Sequence, residues 1–366
     1  MAWNWTYAGW PTFRFDQAAL TSLEEKFLLA SGEVIGAVKH VGSDQLEQFR
    51  IEILAEEAVR TSQIEGEILD RASVQSSLRR QFGLSADAKR AKPQERGIAE
   101  LMADLFEGWD RPLTHETLFR WHGMLMAGND HLIDIGRYRT HQDAMQIVSG
   151  QLHDPTIHFE APPSVRVPAE MAAYIDWFNA SAPGSTSALP ALTRAGIGHL
   201  YFESIHPFED GNGRLGRALA EKSLAQNLGQ PSLISLAYTI ERNRKSYYDQ
   251  LARHQVTLDI TEWLFYFGQT ILDAQQATMA RLSYSISRTR FHDRFRGAFN
   301  ERQDKVINRM FREGIDGFKG GLSAENYIAI TKTSRATATR DLADLVLKGA
   351  LKKTGALRHT RYTLDL

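Results

Sequence analysis

Apolar residues recur at three- and four-residue spacing over most of this chain, a period that an α-helix buries on one face. Leu46, Phe49, Ile53 and Leu54 show it between Ser43 and Arg60, and the same pattern predicts helices at 17–42, 95–107, 115–127, 168–180, 191–205, 213–228, 243–254 and 260–283. One stretch departs from it. Gly136 to Pro163 is rich in His, Gly and Pro, and the short run Gln146-Ile147-Val148 ahead of Ser149-Gly150 predicts a small hairpin inserted among helices. The fold class expected is mainly α.

Beyond residue 300 the texture changes. A helix to about Arg312, a Gly-rich break (Gly314, Gly317, Gly320, Gly321), helices at 323–330 and 334–348, and strand-like alternation from Leu351 to Leu366 follow the order of a winged helix-turn-helix. The start is aromatic, with Trp3, Trp5, Tyr7, Trp10, Phe13 and Phe15 inside fifteen residues. It reads as a small mini-core, with a docking surface for a partner as the alternative. The start also has no basic segment followed by an apolar one, and no run of about 18 apolar residues occurs, so a cytoplasmic protein with no membrane partner is expected.

Composition removes whole classes of chemistry. With no cysteine in 366 residues, thiolate nucleophiles, Cys-ligated zinc and iron–sulfur clusters are excluded. The net charge of −1 hides an asymmetry: residues 281–366 hold 18 Lys plus Arg against 9 Asp plus Glu, while residues 1–280 carry a net −10. A basic tail of this kind suits DNA phosphates, or an acidic protein surface.

The chemistry concentrates in residues 206–217, His-Pro-Phe-Glu-Asp-Gly-Asn-Gly-Arg-Leu-Gly-Arg, a polar loop between two helical patterns. Gly211, Asn212 and Gly213 can aim backbone N–H groups into a nest, and the following helix adds its positive end, so an anion is expected there. Arg214 and Arg217 are three apart on one helical face and can bond phosphate oxygens. Asp210 offers a hard oxygen to Mg²⁺, and His206 is suited to taking a proton near neutral pH. The embedded G-x-G-x-x-G of Gly211 to Gly216 follows a helix rather than a strand, no Gly-Lys dipeptide supports a Walker loop, and Phe119 breaks the H-E-x-x-H begun by His115.

The twelve-residue string resembles the Fic family motif H-P-F-x-[DE]-G-N-G-R-x-x-R at every fixed position. The resemblance implies transfer of AMP from ATP to a hydroxyl side chain of a protein, with release of pyrophosphate. It implies His206 as general base and Asp210 as the Mg²⁺ ligand. The nucleotide would lie against Gly211, Asn212, Gly213, Arg214, Leu215, Gly216 and Arg217. A second string, Thr61 to Gly66, resembles the Fic inhibitory motif [ST]-x-x-x-E-[GN] of the class with an N-terminal inhibitory helix. Thr61 and Glu65 share a helical face and Gly66 can end the helix, so Glu65 is expected to pair with Arg217 in place of the γ-phosphate. The hairpin resembles the Fic flap, whose Val148, Ser149 and Gly150 would hold a target segment by strand addition. Tyr248 is the candidate for stacking on adenine. The loop histidines His141, His153 and His158 are expected to be solvated rather than metal ligands.

These readings divide the chain into an N-terminal aromatic and helical domain with the inhibitory helix (1–95), a Fic catalytic core (96–280), a helical linker (281–300) and a winged-helix domain (301–366). The partners expected are a target protein with a hydroxyl side chain, the chain itself through self-modification, DNA through the tail, and a second copy in a homodimer. Removal of AMP by the same site, with Glu65 orienting a water, stays open, as does a DNA-binding regulator that only senses ATP.

Overall fold

The computed structural model describes residues 2–366 apart from 40, 87–90, 152, 153, 315, 316 and 319, and of 149–151, 154, 155 and 358 the backbone only. The chain divides into two units, Met1–Thr278 and Met279–Leu366. The first holds α1 (Gln17–Val38), α2 (Ser43–Ile64), α3 (Arg71–Gln81), α4 (Pro93–Glu107), α5 (His115–Leu125), the strands β1 (Gln146–Gln151) and β2 (Asp154–Glu160), then α6 (Val167–Ala180), α7 (Ala191–Ile205), α8 (Asn212–Leu228), α9 (Leu236–Arg242) and α10 (Arg244–His254). The boundary falls inside α11 (Thr261–Arg294), which continues through most of the segment expected to be a helical linker. Among the described residues no helix is long and apolar enough to cross a membrane.

Two helices escape the periodicity reading. The α3 face that turns inward is made of Ser73, Ser76 and Ser77 with Val74 and Leu78, so burial there leaves no apolar stripe, and Asp70 caps its first turn through Ser73 N at 2.7 Å. With only seven residues, α9 is too short to display a period. The N-terminal aromatics also differ from the expected mini-core. They spread along the first unit, Trp3 edge-on to Phe159, Trp5 Nε1 donating to the Glu160 carbonyl at 2.7 Å, and Trp10 and Phe13 both against Tyr201.

At the centre α7 packs along α8, and every residue of α7 is buried. The start of α7 is capped from another helix, because Glu24 of α1 accepts from Leu192 N, Thr193 N and Thr193 Oγ1 at 2.8–3.1 Å. Arg194 ties α6, α7 and α8 by donating to the Phe178 and Ser223 carbonyls and the Gln226 and Asn227 amides. The expected hairpin is present as antiparallel β1 and β2, with Val148 opposite Ile157 and a register shift between Ile147 and Val148.

α2 is seated by polar groups as much as by its apolar face. Glu57 accepts from Ala237 N of α9, while Arg60 and Gln63 reach Glu241. Glu57 also faces Glu221 of α8, and two buried carboxyl groups side by side resist ionising together. Burial pushes Glu57 up to about 7 and Glu221 well above its ordinary value, the latter raised further by Glu57.

The second unit holds α12 (Glu301–Arg312), α13 (Ala324–Thr331), α14 (Arg335–Leu347) and antiparallel β3 (Leu351–Thr354) and β4 (Arg361–Leu364). Leu322 and Tyr362 exchange backbone hydrogen bonds at 2.9 Å, which adds a bridge to the hairpin. Its core is Phe291, Val306, Ile307, Phe311, Tyr327, Leu342 and Leu345.

Because both carboxyl groups of the Glu57–Glu221 pair are raised, the native state binds extra protons between the ordinary value of 4.5 and about 7, and stability falls as pH rises through that window. Glu221→Gln supplies an N–H donor that needs no proton. Its melting temperature is expected to gain on the wild type progressively from pH 5 to pH 8, measured by calorimetry.

Candidate active site

The loop that leaves α7 turns at once. His206 adopts φ 50°, ψ 61°, a left-handed conformation rare for a non-glycine residue and a mark of stored strain. Arg139 holds it there. This buried side chain donates from Nε to the His206 carbonyl at 2.9 Å and from the other nitrogens to the Pro162 carbonyl and Ser164 Oγ, while its own N–H donates to the Pro207 carbonyl at 3.0 Å. Burial lowers Arg139 to about 10, which leaves it charged at neutral pH. His206 itself is lowered to about 4, first by burial and then by the Arg139 charge, so its imidazole is neutral and able to accept a proton.

The rest of the loop is closed internally. Asn212 Oδ1 accepts from Phe208 N and its Nδ2 donates to the Phe208 carbonyl, both at 2.9 Å. His122 of α5 stacks on Phe208 with ring centres 4.2 Å apart, accepts from Gly136 N at Nδ1 and bonds the Asp210 carbonyl through Nε2 at 3.2 Å. Burial holds His122 near 4, so it is neutral. Gly211 takes φ +82°, and Asp210 Oδ1 accepts from Gly211 N and from Arg214 at 3.2 Å. The first N–H groups of α8, at Asn212, Gly213 and Arg214, point out of the helix start with no intrahelical acceptor.

A carboxylate occupies this positive end. The space where a Cβ of Gly213 would project is 2.2 Å from Glu65 Oε1, so Glu65 lies directly over the first turn of α8. Arg217, 2% exposed, donates to Glu65 Oε1 at 2.6 Å, to Thr61 Oγ1 at 2.7 Å and to the Thr61 carbonyl at 3.0 Å. Burial alone would raise Glu65, but the charge and hydrogen bond of Arg217, with Arg214 and the Tyr248 hydroxyl behind them, hold it below the ordinary carboxylate value. Burial likewise opposes the Arg217 charge, and Glu65 outweighs it.

The end of α2 explains how the carboxylate arrives. Gly66 takes φ +88°, Gly66 N donates to the Gln63 carbonyl and Glu67 N to the Ser62 carbonyl, which is a Schellman turn. That turn delivers a second carboxylate, since Glu67 Oε2 accepts from Arg214 at 2.7 Å.

Of the sequence-predicted residues, His206, Asp210, Gly211, Asn212, Gly213, Arg214, Arg217, Thr61, Glu65 and Gly66 therefore converge on one end of α8. Leu215 is fully buried in the core, and Gly216 packs on Glu203 and His199 rather than facing the loop. The Tyr248 hydroxyl donates to Glu65 Oε2 at 3.3 Å, with Arg244 over its ring. Val148 is half exposed on β1, the side chains of Ser149 and Gly150 lie outside those described, and the hairpin is tied to the loop through Arg139. His153 also lies outside the described residues, His141 bonds the Asp143 carbonyl, and no cluster of His, Asp and Glu able to hold a metal occurs among those described. Sequence reasoning missed Glu67, which follows geometrically from the Gly66 cap, and Arg139 and His122, for which the sequence holds no local signal.

Comparison with known proteins places two domains on the chain. Residues 112–224 match the Fic/DOC family and residues 3–84 a domain of unknown function, DUF4172. The chain thus carries a Fic/DOC family domain. A probable protein adenylyltransferase of Aquifex aeolicus is 33% identical over 93 residues, a quarter of each chain, so the likeness spans only a quarter of that relative's length. A Fic family protein from Desulfovibrio desulfuricans has a similar fold, with a TM-score of 0.54, 21% identity, and 97% of this chain and 98% of that one covered. A Fic domain containing signaling protein from Bacteroides thetaiotaomicron aligns at TM-score 0.51 and 18% identity over 73% of this chain and 95% of its own.

The depressed Glu65 value gives the contact a definite pH dependence. It is fully present above the ordinary value of 4.5 and is lost as pH falls through the lower native value. Melting curves of wild type and Glu65→Gln are expected to differ at pH 6–8, wild type higher, and to converge below pH 4.5.

Proposed function

We propose that the chain is a protein adenylyltransferase, moving AMP from ATP to a Ser, Thr or Tyr hydroxyl of a target protein or of itself, and that α2 inhibits it through Glu65. The observation that carries this reading is the carboxylate of Glu65 seated on Gly213 and Arg217, where phosphate oxygens would otherwise find N–H donors and a guanidinium. The Fic/DOC domain and the name of the Aquifex aeolicus relative support it.

The chemistry follows from the groups in place. His206 takes the hydroxyl proton, the oxygen forms its bond to the α-phosphorus, and the bond from that phosphorus to the β-phosphate oxygen breaks, releasing pyrophosphate. Arg214 and Arg217, with the first N–H groups of α8, neutralise the phosphate chain and the leaving group. Asp210 suits Mg²⁺: its half-exposed carboxylate spends Oδ1 on Gly211 N and Arg214, and a lone carboxylate beside phosphate oxygens and water is an ordinary Mg²⁺ environment. When bound, the ion would offset charge on the phosphates.

Wild type, Glu65→Gly and His206→Ala incubated in cell lysate with α-labelled ATP test the reading. Glu65→Gly is expected to raise labelling on the order of tenfold or more, and Thr61→Val, which loses only the 2.7 Å bond to Arg217, by less. His206→Ala in the Glu65→Gly background is expected to lose about 10²-fold or more. Because burial holds His206 near 4, the opened variant should keep its rate down to about pH 5. Label transferred from γ-labelled ATP would overturn the assignment in favour of kinase chemistry.

We infer further that the second unit is a winged helix-turn-helix that binds DNA, α14 in the groove and the β3–β4 hairpin as wing. Arg335 and Arg340 are exposed on α14 and Lys352 and Lys353 on β3, with Lys332 exposed in the turn ahead of α14. The Leu322–Tyr362 bridge favours the wing assignment. Retardation of duplex DNA is expected at 50 mM salt and to weaken steeply by 200 mM. No retardation at 50 mM refutes it. A DNA response that survives His206→Ala while labelling is absent throughout would instead identify an ATP-sensing regulator.

A further inference from the structure

We propose that Glu203 is the positioning residue of the His206 base, accepting its Nδ1–H so that Nε2 faces the reacting hydroxyl unprotonated. This rests on the reading of His206 as a general base.

His199 and Glu203 lie four residues apart on one face of α7, and His206 follows at its left-handed C-cap, with the ring beside Glu203. The acceptors beside His206 Nδ1 both belong to Glu203: its main-chain carbonyl, and its carboxylate Oε2 at 3.9 Å. Nδ1 is buried and makes no well-aligned hydrogen bond. An imidazole nitrogen faced by acceptors carries the proton, which leaves Nε2 with its lone pair. Catalytic hydrogen bonds of this length tighten when substrate binds.

Glu203 has no evident structural use for its carboxyl group. The side chain is buried and Oε1 is without a hydrogen-bond partner. α8 comes close enough only because residue 216 is glycine, for a Cβ there would lie 2.4 Å from Glu203 Oε1 and 3.2 Å from the His199 ring. Behind it, His199 Nε2 pairs with the Tyr247 hydroxyl at 2.7 Å. The charged and titratable groups around Glu203 are Arg217 of α8, Glu65 after α2, Tyr247 and Tyr248 of α10 and Tyr174 of α6. Burial pushes Glu203 up to about 8, with Arg217 opposing and Glu65 adding. At neutral pH the carboxyl therefore keeps one proton, and with that proton on the unpartnered Oε1 the Oε2 facing His206 remains an acceptor, able to strengthen its bond to Nδ1–H as the imidazole gains charge. In the transfer step the hydroxyl proton goes to Nε2 while the Nδ1–H stays on the ring, bonded to Glu203.

The test uses the full chain in the Glu65→Gly background with α-labelled ATP. Glu203→Ala is expected to lower kcat about 10- to 100-fold with KM for ATP within about twofold, and Glu203→Gln, whose amide oxygen still accepts from Nδ1–H, to restore most of it. Thermal melting checks that the variants fold. Independently of any variant at 203, long-range ¹⁵N–¹H correlation in the parent, with the His206 ring assigned by His206→Ala, is expected to show the proton on Nδ1. A ring proton on Nε2, or a folded Glu203→Ala with kcat within about twofold while His206→Ala is inactive, overturns the role of Glu203 and leaves the base assignment standing. Full activity in His206→Ala overturns both.

Discussion

An arginine in a protein interior keeps its charge, and two of them lie at the start of α8, Arg214 at 3% and Arg217 at 2% exposure. Burying such charges without anions costs several kcal/mol each, and the helix end adds further positive potential. The site is therefore unstable as a bare pocket. Much of the first unit can be read as the means of supplying anions to it: Glu65 and Glu67 from the end of α2, Asp210 from the loop, and the Thr61 carbonyl at the negative end of α2. Arg139 holds the left-handed turn at His206, its buried charge met by the His206, Ile205 and Pro162 carbonyls.

On the proposed reading, inhibition and nucleotide binding are two solutions to one electrostatic problem. A triphosphate carries more charge and more acceptor oxygens than two carboxylates, whereas carboxylates of the same chain have no translational entropy to lose, and that difference is what the proposed inhibition would rest on. The Schellman turn at Gly66 is what lets one helix end address both arginines. Glycine fits there because φ +88° is strained for any side chain.

Legibility from the sequence followed local density of information. The 206–217 loop packs its roles into consecutive positions, and α7 and α8 announce themselves by period, so that end of the site was readable. Thr61 and Glu65 were readable because four-residue spacing on a helix fixes a shared face. Glu67 was not, since its partner depends on where the chain goes after a cap. Arg139, 67 positions from His206, and His122, 88 from Asp210, depend on tertiary placement alone. The same limit hid α3, whose buried serines mimic an exposed face, and α9, which is only two turns long yet anchors α2 through Ala237 and Glu241.

The electrostatics also restrict how the lock can open. Protonating Glu65 is not a route near neutral pH, because Arg217 holds its carboxyl below the ordinary value. The seat of α2 behaves in the opposite sense. Burial raises both Glu57 and Glu221, Glu57 to about 7, and ionising both would set two carboxylates against each other between α2 and α8. On the proposed reading, release is by displacement of α2 from its seat rather than by protonation of Glu65.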